Sequence, residues 1–342
     1  MRTLLHEFIF FVGLFLAVPC FAQETNLPLW GKADRFMQTQ AKETFNLVDE
    51  ALLQYPPTTN FCMPRKLALY NLDALIHDTH NDSCAFLLNF IQVRMKRIAD
   101  DLDKPLAKGM KIYKLYNDGY IVRTPSVTIA FDMIRGSAER QLITDSIMQT
   151  LVSHCDIMFI SHSHNDHADL GVAKFFAAQG KPVITPLGLW ENENKNIQPT
   201  GGKTMLNKIF YLKNKLSLQV KIFPGHQDEL LNNVYVVTTP ERISVTHTGD
   251  QYNTEDRTWI KTVKEHAKTD VLLIECWAMH MDEMIDGFAP RLVITGHENE
   301  LLFHTIDHRE PYWLTYKKMS TIKYPYIIMT WGESYTFVPR KK

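Results

Sequence analysis

The chain has 342 residues, of which 45% are apolar and 22% charged, so it can bury a substantial core and is not a disordered chain. Its formal charge is only −1 and it carries no long basic run, which argues against a nucleic-acid partner. The short Arg340-Lys341-Lys342 end reads as a solvated tail.

In chain order, residues 1–22 read as an export signal. Arg2 precedes the apolar run Phe8 to Val18, and Cys20-Phe21-Ala22 puts small residues at the two cleavage-defining positions, so a cut after Ala22 is expected. The run is shorter than the ~20 residues that a spanning helix needs, so no stable membrane insertion is expected. The mature protein is then periplasmic or secreted, and it keeps Cys62, Cys84, Cys155 and Cys276. Export permits a disulfide, with Cys62 and Cys84 the expected pair because both fall in the same preliminary segment. Cys155 and Cys276 lie beside apolar strands and read as buried free thiols.

The next stretch, from about Asn26 to Lys108, has helical texture. Met37, Ala41, Phe45, Val48 and Leu52 are spaced four, four, three and four apart, and Leu87, Ile91, Met95, Ile98 and Leu102 repeat the pattern after a cap at Asp82 or Ser83. Pro56-Pro57 closes the first helix and Pro64 opens the middle one. Residues 23–109 therefore read as a helical N-terminal extension of about three helices. Packing on the body is its default role; roofing a site or self-association as a homo-oligomer are the other roles open to it.

From Met110 the pattern changes to strands. Ile112 to Leu115, the tight turn Asn117-Asp118-Gly119 and Tyr120 to Arg123 form a hairpin, and Val127 to Phe131 follows. Further along, Val172 to Ala178 reads as helix, Pro182 to Thr185 as strand, and Leu216 to Phe223 with Asn233 to Thr239 as two long paired strands. Then come the strand Ile243 to Thr246, a helix from Trp259 to His266, the strand Val271 to Ile274, the helix Met281 to Phe288 and the strand Leu292 to Ile294. Strands that run together and then alternate with helices suit a sheet sandwich flanked by helices, an α/β body over residues 110–342.

The densest chemistry is Ser161-His162-Ser163-His164-Asn165-Asp166-His167, directly after the apolar run Ile157 to Ile160. An apolar run this short is a buried strand, so the cluster opens the following loop. Two imidazoles at spacing two fall on one side of an extended chain and suit one cation, while the adjacent Asp166 and His167 point elsewhere and suit a second. Downstream, His226 follows the strand Leu216 to Phe223 and a turn at Pro224-Gly225, Asp250 follows in His247-Thr248-Gly249-Asp250, and His297 follows in Thr295-Gly296-His297. Each candidate is expected just past a strand end, the usual place for functional residues on a sheet scaffold. Gly249 and Gly296 leave the backbone free to turn sharply before a ligand. No cysteine is in the series, which argues against a thiolate-rich structural zinc site.

Other residues admit two readings. Asp132, at the end of the strand Val127 to Phe131, either orients a ligand histidine or caps a turn. His247 reads as structural. His304 and His308 are candidates for substrate contact or proton delivery, against the alternative of a solvated polar loop. His77, His80, His154, His266 and His280 have no ligand context. Trp190, Trp277, Trp313 and Trp331 could line a pocket, although isolated tryptophans are more often core or surface anchors. No arginine cluster commits the site to phosphate.

In type and order, His162-x-His164-x-Asp166-His167 followed by His226, Asp250 and His297 resembles the ligand series of the metallo-β-lactamase-fold hydrolase superfamily, and Asp132 matches its early strand-end aspartate. The resemblance covers roughly residues 110–335 and looks most like the branch containing ascorbate-6-phosphate lactonase and N-acyl-phosphatidylethanolamine phospholipase D. It implies an αββα sandwich. It assigns His162, His164 and His226 to one metal and Asp166, His167 and His297 to another, with Asp250 bridging. Two cations ~3.5–4 Å apart hold a hydroxide as nucleophile, so the expected activity is cleavage of an ester, lactone, amide or phosphodiester bond in a small-molecule substrate. Asp166 and Asp250 are then the catalytic carboxylates and His304 the candidate proton carrier. Zinc is the default metal, with iron or manganese as alternatives. The competing readings are an iron-dependent redox enzyme of the sulfur dioxygenase kind and a metal-binding protein without turnover. Asp166 and His167 at the second position favour the hydrolase.

Overall fold

Alternating burial along two sets of strands builds a sandwich of two sheets. The computed structural model describes residues 33–77, 85–136, 141–213, 215–301 and 310–339. The export signal, the Asp82–Ser83 cap, His80, Cys84 and with it the Cys62–Cys84 pairing, His304, His308 and the basic C-terminal end lie outside the described residues. Residues 33–40 are the opening turns of the first helix, and the architecture that follows is that of the unit from Ala41 onward.

The first sheet contains β1 (Met110–Lys114), β2 (Tyr120–Arg123), β3 (Thr128–Phe131), β4 (Ile157–Phe159), β5 (Val183–Thr185), β6 (Ile197–Pro199) and β14 (Ser334–Phe337), in the order β14-β1-β2-β3-β4-β5-β6. The second contains β7 (Leu206–Tyr211), β8 (Ser217–Gln227), β9 (Leu230–Thr238), β10 (Ser244–His247), β11 (Val271–Glu275), β12 (Leu292–Gly296) and β13 (Tyr326–Ile328), in the order β13-β12-β11-β10-β9-β8-β7. Both sheets are mixed: β3 to β6 and β10 to β13 pair in parallel, the rest antiparallel.

A period of two sorts each strand's side chains. Ile112, Phe131, Ile157 and Phe159 of one sheet meet Tyr235, Val245, Leu273 and Ile294 of the other in the inner core. Their neighbours Tyr113, Ala130, Met158, Leu272 and Ile274 face outward into a second core with the helices. That core is covered by α1 (Ala33–Gln54), α2 (Met63–Ile76), α3 (Ala85–Leu102), α4 (Asp145–His154), α5 (Leu170–Ala178), the short α6 (Arg257–Ile260) and α7 (Val263–His266), α8 (Met281–Phe288) and α9 (Tyr312–Met319). This is the expected αββα sandwich with helices ahead of it.

The leading helices carry the stripe that their spacing predicts: Ala41, Phe45, Val48 and Leu52, and Leu87, Ile91, Met95, Ile98 and Leu102, are all buried. Ion pairs lock them to the body. Arg65 on α2 forks onto Glu333 at 2.6 and 2.5 Å and donates to Ile328 O at 2.7 Å. Arg94 on α3 donates to Trp331 O at 2.6 Å. Asp73 on α2 accepts from the backbone N–H groups of Tyr312 and Trp313 at 2.9 and 3.1 Å, satisfying the start of α9. Cys155 and Cys276 are buried free thiols, as expected. No described helix is long and apolar enough to cross a membrane.

Three expectations change. Pro224 and Gly225 do not turn the chain: β8 runs through them to Gln227, paired with β9 as Pro224↔Asn233 and His226↔Leu231. β7 leaves β8 after Leu206↔Ile222, so this end of β8 has one neighbour and the proline's missing N–H breaks no second ladder. The reversal comes at Asp228, in left-handed backbone with φ 52°. The helix expected over Trp259 to His266 is two short pieces, and β10 and β12 extend to His247 and Gly296.

Candidate metal centre

Parallel strands end on the same edge of a sheet, and that brings the polar residues together. Asp132 follows β3, the His162–His167 loop follows β4, Asp250 follows β10, Glu275 ends β11 and His297 follows β12. The β1–β2 turn adds Asn117 and Asp118. Gly249 lets the β10 loop reach the β4 loop: its φ is +53°, and a side chain there would come within 2.4 Å of Ser161.

Among the described residues three groups of donors form: two share Asp250, and the third, Asp118, Asp132 and His167, meets the first at His167. Asp166, His167, Asp250 and His297 each place a donor atom within 4.8 Å of the others, and so do His162, His164 and Asp250. The Asp250 carboxylate lies 3.2 Å from His167 Nε2, 3.4 Å from His297 Nε2 and 3.9 Å from His162 Nε2. Asp166 lies 3.2 Å from His167 Nε2 and 3.0 Å from His297 Nε2.

The surroundings aim the histidines. Asp132 Oδ2 accepts from His167 Nδ1 at 2.8 Å, and its two oxygens also accept from Ser161 N at 2.7 Å and Ser161 Oγ at 2.5 Å. Asp132 thus orients a ligand candidate rather than merely capping a turn. With its own proton on Asp132, Ser161 Oγ accepts from His162 Nδ1 at 3.0 Å. Nε2 of both rings is left pointing at the centre, buried and with ion-pair contacts but no hydrogen bond, as is Asp250 Oδ1. Buried polar atoms are rarely left this way unless something else binds them. Imidazole and carboxylate donors converging with free lone pairs fit zinc, iron or manganese.

Burial opposes charge throughout the cluster, and the partners decide which groups carry it. Asp166 and Asp250 are held well below the usual carboxyl range by the His167 and His297 imidazoliums, against the effect of burial. Burial would discharge His167 and His297, but the facing Asp250 and Asp166 carboxylates raise both well above an ordinary histidine. His162 goes the other way: burial, reinforced by His167, pushes it down to about 3, so it is neutral at pH 7. Without a cation, protons on two histidines balance two carboxylates. A cation bound there would take the place of those protons.

His226 is the one described ligand candidate outside these groups. It lies on β8 with Nδ1 at 3.1 and 3.2 Å from the two Asp256 oxygens. His247 is structural, as expected: it contacts Asp118 O at 3.1 Å and stacks on Phe131 at 5.1 Å. Trp331 is core, and Trp190 lines a cleft with Asn165 of the histidine motif.

Several site residues escape the sequence reading. Asn117, assigned only a turn role, donates to Asp166 Oδ2 at 3.1 Å. Glu275 is raised well above an ordinary glutamic acid by burial and by Asp250, and burial pushes Glu300, 3.7 Å from His297 Nδ1, up to about 8. Asp132 and His297 have positive φ, 41° and 67°, a rarity for residues with a side chain that clusters at functional sites.

Together, the two mixed sheets, the flanking helices and the rim of histidines and aspartates define a metallo-β-lactamase-like fold with N-terminal helices. Among solved structures, the chain is similar to a metallo hydrolase from the hyperthermophilic archaeon Ignicoccus hospitalis, with 16% identity, a TM-score of 0.51, and 68% of this chain and 100% of that one covered. It is also similar to a diiron β-hydroxylase from Streptomyces venezuelae (12% identity, TM-score 0.48, 69% of this chain and 55% of that one). A third is isothiocyanate hydrolase from Delia radicum gut bacteria (14% identity, TM-score 0.46, 67% of this chain and 99% of that one). No protein-family model and no curated protein matches the chain.

Proposed function

We propose that this protein is an exported, binuclear metal-dependent hydrolase of an ester, lactone, amide or phosphodiester bond in a small-molecule substrate. The observation that carries the reading is the Asp250 carboxylate, which belongs to two donor groups. His162 and His164, joined by His226, would hold one ion, Asp166, His167 and His297 would hold the other, and Asp250 would be available to both. Two such cations supply Lewis acidity and a water acidified toward neutral pH. The chain fixes the donors: Asp132 orients His167, Ser161 orients His162, and Gln227 Nε2 donates to Asp250 at 3.2 Å. His164 is exposed and marks the side open to substrate.

The shared fold of the Ignicoccus metallo hydrolase supports the reading. Zinc is the proposed metal, and iron or manganese suit the same donors. The placement beside the lactonase and phospholipase D branch rests on the motif alone. The test is a panel of lactones, phosphodiesters, esters and β-lactams offered to the metal-loaded protein, with oxygen uptake recorded in parallel. Hydrolysis of one class, lost on stripping the metal and restored on reloading, is expected. One iron per chain with oxygen uptake and no hydrolysis would replace this reading with redox chemistry. Bound metal with neither activity would leave a binding protein.

A further inference from the structure

We infer that Asp256 is a positioning residue that sets the His226 ring for the first metal ion; the inference rests on the metal-centre reading above. Asp256 is only 5% exposed, and its carboxylate lies 3.1 and 3.2 Å from His226 Nδ1. A carboxylate there keeps the ring proton on Nδ1 and leaves the Nε2 lone pair for a cation. Asp132 does the same for His167 across the site, at 2.8 Å.

The carboxylate is itself held. Gln251 Nε2 donates to it at 2.8 Å and Trp259 Nε1 at 3.0 Å. Gln251 uses its other end, Oε1, to accept the His226 backbone N–H at 3.1 Å, so one side chain ties both the backbone and the ring partner of His226. Glycine at 225 permits this approach, because a Cβ there would lie 2.0 Å from Gln251 Oε1. Trp259 is fixed in turn by stacking on Phe223 of the same strand, with centroids 5.4 Å apart and an interplanar angle of 14°.

The clamp matters at this ring more than elsewhere. The His226 side chain is 36% exposed, whereas those of His162 and His167 are fully buried. Packing holds this ring less completely than those two, and a freer imidazole would lose rotamer freedom on every metal-binding event. Gln251 and Trp259 each donate to the buried carboxylate, so it has partners besides the partly exposed ring. Its contact with that ring is useful for orientation.

The experiment uses the full-length protein, stripped by chelation and titrated with Zn²⁺ against a competing chelator. Two binding steps are expected; His164→Ala should remove one and His297→Ala the other. Asp256→Asn, which keeps the packing, and Asp256→Ala should weaken only the step lost in His164→Ala, by about 10–100-fold. Trp259→Phe keeps the stack, removes one donor to Asp256 and should weaken the same step by less. Unchanged steps in both Asp256 variants would overturn the inference. So would equal weakening of both steps with a lowered melting temperature of the stripped protein, which marks a merely structural role. An unsubstituted protein that binds no zinc, iron or manganese would overturn the metal centre itself, and the role of Asp256 with it.

Discussion

Asp250→Asn preserves side-chain size and removes one negative charge where two donor groups meet. In the metal-free protein, Asp250 lies 3.2 Å from His167 and 3.4 Å from His297, and these partners hold its carboxyl well below the usual range. A depressed pKa contributes stability that is fully present above the ordinary carboxyl value of ~3.9 and is lost only as pH falls through the depressed value. At pH 7 the substitution therefore takes an ionised partner from buried imidazoliums, a change that costs about 3–5 kcal/mol. The deficit should shrink on acidification, as the native carboxylate itself becomes protonated. In the metal-loaded protein, Asp166 and Asp250 set two negative charges against two dications, and the variant keeps one. A loss of the same size weakens at least one ion by roughly 10²–10⁴-fold. Turnover should fall at least ~10²–10³-fold, the effect of losing one electrostatic stabiliser. Elemental mass spectrometry after dialysis, turnover on a confirmed substrate and calorimetry of the stripped protein at two pH values read these effects. His266→Ala, on α7 away from the centre, is the control and should change little. Full occupancy with full turnover in Asp250→Asn would mean that the Asp250 charge does not serve the metal centre.

Zinc uptake at pH 7 should release protons from His167 and His297 but none from His162, and affinity should rise with pH until both are deprotonated; titration in weak buffer reads the release. Uptake without proton release would contradict the charge balance described for the cluster. Asp132→Ala removes the acceptor for His167 Nδ1 and both Ser161 donors, and should weaken the second ion by about 10–100-fold in a chelator competition. Glu333→Gln strips the partner from a buried Arg65 and should lower stability by about 3–5 kcal/mol, seen as a fall in melting temperature. An unchanged melt would mean that this pair does not anchor α2 to the body. The proposed export signal predicts a mature N-terminus near Gln23; mass spectrometry of the protein from its native host should find it, and an intact Met1 would contradict it.

Local sequence marked the candidate donors because most of them follow short apolar runs of strand character, and the loop after β4 concentrates four donors in six residues. The leading helices were legible for the same reason, since their apolar spacing leaves a stripe that needs cover. What local pattern could not supply is pairing across distance. β14 joins β1 from more than two hundred residues away, and β7, largely exposed, has no clean alternation to mark it. Pro224-Gly225 has turn chemistry but lies in a strand because β7 has already ended beside it. Asn117, Glu275 and Glu300 read as ordinary polar residues until the sheets bring the ends of β1, β11 and β12 to one rim. Asp256 has no motif at all; its role follows from the strand extension that puts His226 beside it.

Metal analysis of the protein purified from its native host, paired with turnover before and after chelation, tests the binuclear reading most directly. Two divalent ions per chain are expected, with hydrolysis that disappears on stripping and returns on reloading. Undiminished hydrolysis of a confirmed substrate by the fully stripped protein would contradict it.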